Sequence, residues 1–194
     1  MHTLHTTDAY VVGAMPHGES NRVYRLVSNK LGYVYAHAQG VRELKNRNRY
    51  ALASRGLINV SLVRGRDVWR ITGARTTEYM YPPETRARQS LRRVLQVAGT
   101  FSPSEDPGAG VFAVVRVVHG ALCTMPQRAS EIETVGVIRI LDRLGYVAHP
   151  GDDAVLEQIA TRTDVLDEEV CATAATERLR LVDIINTALT HAAV

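Results

Sequence analysis

The stretch RVYRLVSNKLGYVYAHAQ, from Arg22 to Gln39, decides the fold of the N-terminal half. It contains two short apolar segments rich in Val, Tyr and Leu, a composition typical of β-strands. Between them, Asn29-Lys30-Leu31-Gly32 has the composition of a hairpin turn, because glycine reaches positive φ at low steric cost. We therefore predict two antiparallel strands, over residues 22–28 and 32–39.

Three more segments of this kind surround the hairpin, at residues 6–15, 56–63 and 67–76. The last two are separated by Arg64-Gly65-Arg66-Asp67, which predicts a second hairpin. Five strands in one small domain suit a closed barrel, because closure removes the exposed edges of an open sheet. An SH3-like barrel is the competing architecture, and the number of strands does not exclude it.

After Pro82-Pro83 the apolar period becomes helical. The sequence predicts a fold of the α+β class in two domains, a five-stranded barrel over residues 1–80 followed by an all-α domain over residues 81–194. The predicted helices cover 87–98 with Gly99 as C-terminal cap, 111–124, the segment from a Ser130/Glu133 capping box to Gly145, a short segment from Asp152 or Asp153 to about 162, and 176–192 with Leu179, Val182, Ile185 and Leu189 facing inward.

Charge is distributed unevenly along the 194 residues, although the formal net charge is only +3. Residues 1–78 contain 12 basic and five acidic side chains, giving +7, whereas the remainder contains 11 basic and 15 acidic side chains, giving −4. A basic half joined to an acidic half suggests that a polyanion binds the first. Drift in surface charge is the alternative interpretation.

The sequence lacks the common catalytic signatures: a Walker-type phosphate loop, a nucleophile elbow, a zincin helix and a dinucleotide fingerprint. Its two cysteines, Cys123 and Cys171, are too few and too far apart for a four-cysteine zinc site. We therefore expect no catalytic residues, no metal and no cofactor. No uncharged stretch is long enough to cross a bilayer, and the N-terminus does not resemble a signal peptide, so we expect a cytoplasmic protein.

The segment between the third and fourth predicted strands is the main candidate binding element. It contains four basic residues, Arg42, Lys45, Arg47 and Arg49, followed by Tyr50 and Arg55. Such a segment can neutralise several phosphates, and Tyr50 can offer a base a stacking surface. A second basic group, Arg64, Arg66 and Arg70, lies at the following hairpin, so we predict a nucleic-acid site composed of both groups.

The order of several motifs resembles the N-terminal domain of the RecO family of bacterial recombination mediators. The matching segments are Ala9-Tyr10-Val11-Val12, His17 to Arg22, Gly32 to Arg42 with Lys45, Arg47 and Arg49, Leu57 to Val60, and Thr72 to Glu78. Downstream, Glu133 to Val147 resembles the helical segment of that family that ends in a Leu-Gly-Tyr-Leu-like sequence. The likeness covers most of the chain, and its weight lies in the order of the motifs.

The resemblance implies an OB-fold followed by a helical domain, with no catalytic residues. It implies binding to single- and double-stranded DNA, strand annealing, and loading of recombinase on strands coated by single-strand-binding protein (SSB), together with RecR. Three features depart from the family: Asn21 replaces an acid, Val41-Arg42 replaces an Arg-Arg pair, and the zinc-binding cysteine cluster of many members is missing. An RNA-binding OB-fold protein or adaptor remains the alternative, because a phosphate-directed segment does not distinguish the two polymers.

The resemblance also implies a site for the acidic C-terminal tail of SSB, which needs cations beside an apolar pocket. In the acidic half, the basic residues concentrate on the first helix, which also carries Leu91, Val94 and Leu95. We predict that Arg88, Arg92 and Arg93 bind the tail, with Arg116 and Arg139 on neighbouring helices. A helix with a merely solvated basic face is the alternative.

Overall fold

A computed structural model describes residues 3–43, 45–53, 56–66, 68–77, 81–103, 105–106, 110–148, 153–162 and 164–192. The chain divides into two compact units. The first comprises Met1–Met80 and Ser102–Gly108, and the second comprises Tyr81–Phe101 and Ala109–Val194. The sequence had assigned residues 102–108 to the helical domain, whereas here they belong to the unit that contains the strands.

The first unit is a closed five-stranded barrel. Its strands are β1 (Leu4–His17), β2 (Asn21–Ser28), β3 (Gly32–Ala38), β4 (Leu57–Arg64) and β5 (Trp69–Thr76), in the order β1-β2-β3-β5-β4. All pairings are antiparallel except that of β3 with β5, and β1 closes the barrel by pairing with β4. This is the topology of an OB-fold, so the predicted fold class is confirmed and the SH3-like alternative is wrong.

Two glycines shape the hairpins for different reasons. Gly32, between β2 and β3, has a φ of 65°, as the turn prediction required. A Cβ there would also lie 2.3 Å from the carbonyl oxygen of Asp106, so the segment around residues 105–106 needs a glycine at this place. Gly65, between β4 and β5, does not have positive φ. A glycine is favoured there because the Cβ of any other residue would lie 2.9 Å from the carbonyl oxygen of Val68.

The barrel interior is filled by alternate residues of the strands, since successive side chains of a strand point to opposite faces. On β3, for example, Val34, Ala36 and Ala38 belong to the buried core, together with Leu26 of β2 and Ile58 of β4. A short helix, α1 (Asn48–Ala53), lies between β3 and β4 and contributes Ala51 and Leu52 to this core. The sequence had predicted only an irregular basic connection there.

The second unit consists of helices. They are α2 (Thr85–Phe101), α3 (Val111–Thr124), a 3-10 turn (Pro126–Arg128), α4 (Ala129–Arg143), α5 (Ala154–Thr161), α6 (Glu168–Thr176) and α7 (Arg178–Ala192). The bounds of α3 match the prediction, and Asp153 caps α5 by accepting a hydrogen bond from the Leu156 N–H at 3.0 Å. Gly145 ends α4 with a φ of 78°, also as predicted.

Other helical predictions were wrong. Gly99 lies inside α2, which continues to Phe101. Ser130 lies inside α4 and forms no capping box, because the Glu133 carboxylate accepts hydrogen bonds from Ser90 and Arg93 of α2 instead. The predicted inward face of the last helix is also wrong: Leu179 is 88% exposed, whereas Leu181 is buried.

Among the residues described, no helix is both long and apolar enough to cross a membrane.

Candidate nucleic-acid interface

Strand β3 separates large side chains from small ones. The core side carries Val34, Ala36 and Ala38, so Tyr33, Tyr35 and His37 lie on the outer side of the barrel. The rings of Tyr33 and Tyr35 meet edge to face, with centroids 5.3 Å apart. Burial raises the pKa of Tyr33 to about 12, so its phenol is neutral at physiological pH. Tyr35 is 43% exposed and offers a ring to solvent.

The turn between β1 and β2 places polar groups at one end of this outer face. Gly18 has a φ of 67°, which lets the chain reverse between His17 and Asn21, a registered pair of the two strands. The Asn21 side-chain oxygen accepts a hydrogen bond from the Gly40 N–H at 2.9 Å. Asn21 therefore fixes the start of the segment that follows β3.

We call residues 40–50 the basic arm, and backbone hydrogen bonds hold it against the barrel. The Arg42 N–H donates to the Ser20 carbonyl at 3.1 Å, which ties the arm to the β1–β2 turn. The Asn46 amide donates to the Gln39 carbonyl at 3.1 Å. Asn48, at the start of α1, accepts from the Ala74 N–H of β5 at 3.0 Å. The arm is thus fixed by its backbone and by its asparagines, which leaves its cationic side chains available.

The cationic groups of the arm have no acidic partner among the described residues. Arg42, Lys45 and Arg47 are exposed and Arg49 is half-buried. None of the ion pairs found within the described part of the chain, such as those of Arg64, Arg93, Arg128 and Arg180, uses them. Unpaired cations fixed on one surface give a positive potential that attracts polyanions.

The second basic group divides into paired and unpaired members. Arg64 forms an ion pair with Glu105, and its guanidinium carbon lies 5.0 Å from the centroid of the Trp69 ring. The Trp69 indole N–H also donates to Glu105, at 3.1 Å, and the hydrogen bond from Arg64 holds the pKa of Glu105 below its usual range. Arg64 is therefore largely neutralised. Arg66 and Arg70 are exposed, and no ion pair to either is found among the described residues.

The aromatic side chains of this unit are mostly structural. Tyr10, Tyr24 and Trp69 are buried. Tyr50, on α1, is 76% exposed and follows Arg49 in the sequence. A ring that stacks on a base must be accessible in this way. Stacking itself stays a prediction for Tyr50, and the structure adds Tyr35 as a second exposed ring.

Two predicted positions need separate comment. Arg55 lies outside the described residues. Among those that are described, no cluster of three or more His, Cys, Asp or Glu side chains could hold a metal ion. Cys171 is buried, and burial raises the pKa of its thiol to about 11.

The predicted tail-binding helix is α2, and two of the three arginines predicted to bind the tail have partners within the second unit. Arg88 donates to the carbonyl oxygens of Pro82 and Pro83, at 3.3 and 2.7 Å, and Arg93 forms an ion pair with Glu133. Arg92 is exposed, and no hydrogen bond or ion pair of its side chain occurs within the described chain. Leu91, Val94 and Leu95 are all buried in the helical core. The helix therefore presents a cation without the apolar surface that we expected beside it.

Arg139, which we expected near this surface, is fully buried. Its guanidinium donates to the carbonyl oxygens of Ile159 and Val165, each at 2.8 Å, and burial lowers its pKa to about 10. Arg139 thus anchors the end of α5 and the segment before α6, and it is inaccessible to a partner.

Sequence reasoning missed three residues of the outer face: Tyr35, His17 and His37. The signal for Tyr35 and His37 was present, since residues 33–38 alternate between ring-bearing and small side chains, which assigns Tyr33, Tyr35 and His37 to one face. His17 had no comparable signal. It comes close to His37 only through the pairing of β1 with β2 and of β2 with β3.

The chain matches no protein-family model, and no curated protein matches it.

Proposed function

We propose that this protein is a cytoplasmic, non-catalytic DNA-binding recombination mediator. It binds single- and double-stranded DNA, promotes strand annealing and helps to load recombinase on SSB-coated single strands during recombinational repair. The proposal combines the ordered sequence resemblance to RecO with the composition of one surface of the barrel.

The observation that carries the nucleic-acid part is that the barrel unit presents six exposed or half-buried cations without an ion pair among the described residues, together with the exposed rings of Tyr35 and Tyr50. The arm supplies four of them, and Arg66 and Arg70 come from the β4–β5 hairpin and from β5. In OB-folds the outer face of β2 and β3, with the loops β1–β2 and β4–β5, is the surface that binds oligonucleotides. Cations that track a backbone and rings that stack on bases are the two components of single-strand binding.

An RNA-binding OB-fold protein is the second candidate function. The same cations and rings would engage RNA, whose recognition additionally uses the 2′-hydroxyl. We favour DNA because the resemblance is to a family of DNA-binding proteins.

Binding to matched oligonucleotides tests the choice between the polymers. Fluorescence anisotropy with single-stranded DNA, duplex DNA and single-stranded RNA of one sequence should show binding to both forms of DNA. Preference for RNA by more than tenfold would favour the second candidate. Binding to none of them at low salt would contradict both.

Annealing on coated strands tests the mediator activity itself. The protein should accelerate pairing of complementary strands that have been saturated with SSB, as followed by a fluorophore and a quencher on the two strands. The matched control is a variant with Arg47→Glu and Arg49→Glu, which should anneal slowly because its arm repels phosphate. Equal rates with wild type, variant and no protein would contradict the proposed function.

We further propose RecR and the acidic C-terminal tail of SSB as partners, both on the basis of the resemblance. On α2, only Arg92 among the three predicted tail-binding arginines combines an exposed side chain with the lack of a described partner. Arg92 is therefore the residue whose reversal tests the proposed tail site.

A further inference from the structure

A cleft of about 440 Å³ opens in the barrel beside the junction of β3 and β5. These strands pair at only two positions, Ala36 with Trp69 and His37 with Arg70. The polar residues that line the cleft are His17, Asn21, His37, Gln39, Arg70 and Thr72. We call it the histidine cleft. Its volume lies in the range of sites that bind small molecules or single groups of larger ones.

Two imidazoles face each other in the cleft. The rings of His17 and His37 meet at 75°, with centroids 4.7 Å apart. His17 ends β1 and is exposed, whereas His37 is half-buried on the outer side of β3. Arg70 is paired in register with His37 across the short parallel contact, so three nitrogen-bearing side chains converge from three strands.

Among the described residues that line the cleft, Arg70 is the one permanently charged group, and its charge is positive. The groups that act electrostatically on His37 are His17 from β1 and Arg70 from β5, and β2 places the neutral Val23 opposite it. No carboxylate lines the cleft among the described residues. The charged residues Arg22, Arg42, Glu19 and Glu43 lie in the neighbouring strand β2 and in the flanking turns; none of them lines the cleft, and their charges sum to zero. The cluster therefore lacks a counter-ion.

This arrangement favours an anion over a metal ion. Arg70 carries a permanent charge that repels cations and can donate hydrogen bonds to phosphate oxygens. Burial is the main cause that lowers the pKa of His37, and the neighbouring His17 and Arg70 lower it further; only this second contribution is the effect of unneutralised positive charge. The Asn21 oxygen is engaged by the Gly40 N–H, which leaves its NH2 group as a further donor.

We propose that the histidine cleft binds a phosphate group of a nucleic-acid strand, and that the histidine pair takes up a proton as the phosphate enters. The inference rests on the proposed function, since it assigns a subsite to the same ligand. The proposed protonation makes the affinity for nucleic acid depend on pH. The side chains responsible, His17 and His37, lie outside the basic arm.

The sign of the effect follows from linkage. A bound phosphate favours the charged imidazole, so the pKa of His37 is higher in the complex than in the free protein, and binding consumes protons. The affinity for nucleic acid therefore rises as the pH falls through the pKa that His37 has in the complex. The affinity levels off once the pH lies below the pKa that His37 has in the free protein. If the pKa rises by about one unit on binding, affinity increases about tenfold across this window.

The test compares the intact protein with a variant carrying His17→Gln and His37→Gln. The probe is a thymidine homopolymer, whose bases do not protonate in this range, at constant ionic strength near pH 8 and near pH 5.5. A control variant, His191→Gln, removes an exposed histidine of α7 in the other unit. Calorimetry in two buffers of different ionisation enthalpy counts the protons taken up on binding.

We expect the wild type and the His191→Gln control to bind up to about tenfold more tightly near pH 5.5, and to take up about half a proton at the pH midway between the two pKa values of His37. The affinity of the double variant should change little with pH, and its binding should take up no proton. Oligomers with and without a 5′-phosphate identify whether an internal or a terminal phosphate occupies the cleft.

Two outcomes would overturn the inference: wild-type binding that is independent of pH, or a double variant that retains the full pH response. Either can occur while the arm variant Arg47→Glu, Arg49→Glu still loses affinity, in which case the proposed function stands and only the histidine cleft is misassigned. Absence of binding at both pH values would instead contradict the proposed function.

Discussion

Reversing Arg47 and Arg49 to glutamate should remove two phosphate contacts from the barrel unit. Arg47 is exposed and Arg49 half-buried, and neither has an acidic partner among the described residues, so the change destroys no ion pair of the fold. Of the six unpaired cations of the two basic groups, we expect about four to meet phosphates on a single strand. Because each phosphate contributes about −0.7 to the salt slope on single strands, the wild-type slope is near −3 and the variant slope is near −1.4.

The difference is large enough to measure by fluorescence anisotropy with a labelled oligonucleotide. A tenfold increase in salt should weaken wild-type binding about a thousandfold, but binding of the variant only about 25-fold. At low salt the variant should bind every sequence more weakly by a similar factor, because phosphate contacts do not read bases.

A matched control reverses two exposed arginines of the helical unit, Arg86→Glu and Arg178→Glu, and so changes the net charge by the same amount. The control should retain the wild-type slope, and all three proteins should unfold at similar temperatures. Equal slopes for the wild type and the arm variant would refute the assignment of the basic arm to nucleic acid. Equal losses in the arm and control variants would show that net charge alone governs binding.

Four further predictions concern individual features. Tyr50→Ala and Tyr35→Ala should each weaken single-strand binding by about 1–3 kcal/mol, because each removes a ring on which a base stacks. The corresponding Phe variants keep the ring and should bind normally, and full affinity in the Ala variants would exclude stacking. Arg139→Met should lower the free energy of unfolding in urea by about 3 kcal/mol, because the carbonyl oxygens of Ile159 and Val165 lose their donor. Arg162→Met, at an exposed position, should change it little, and equal stabilities of the two variants would contradict the anchoring role. The purified protein should fold and bind DNA without metal, and stoichiometric zinc in elemental analysis, with unfolding on chelation, would contradict this. Arg92→Glu should weaken binding of an acidic SSB-tail peptide in calorimetry and leave DNA binding intact, and unchanged peptide affinity would place the tail elsewhere or nowhere on this chain.

The strands could be predicted from sequence because each signal was local. The segment 22–39 contains both strands of a hairpin and the glycine that its turn requires, and its predicted bounds differ from the observed strands by one residue at each outer end. Helix α1 was missed because six residues do not reach two full turns, so they give no reliable period. The residues of α1 were instead interpreted as part of a basic connection between two strands, because of their positive charge.

Distant pairing explains the failure of the capping-box prediction. Glu133 has the right spacing from Ser130 for a capping box, but its carboxylate bonds to Arg93 and Ser90 on another helix. The inward face of α7 was assigned from the spacing of Leu179, Val182, Ile185 and Leu189, whereas the buried residues of the helix are Leu181 and Ala188.

The charge of the candidate site could be predicted from the sequence, whereas its geometry could not. Exposed arginines and the isolated Tyr50 can be read from composition, because they need only be present on one segment. The neutralisation of Arg64 by Glu105 depends on contact between residues 41 positions apart, and the His17–His37 pair depends on the register of three strands. Neither leaves a local pattern in the sequence.

The central claim is that a nucleic-acid strand lies on the outer face of the barrel and along the basic arm. Titration of the isotopically labelled protein with a thymidine oligomer, followed by amide NMR, tests it residue by residue. We predict that the shifts concentrate in residues 17–23, 33–43, 45–53 and 68–72, with small changes in α4 to α7. Saturable shifts confined to the helical unit, or none in the barrel at low salt, would contradict the account.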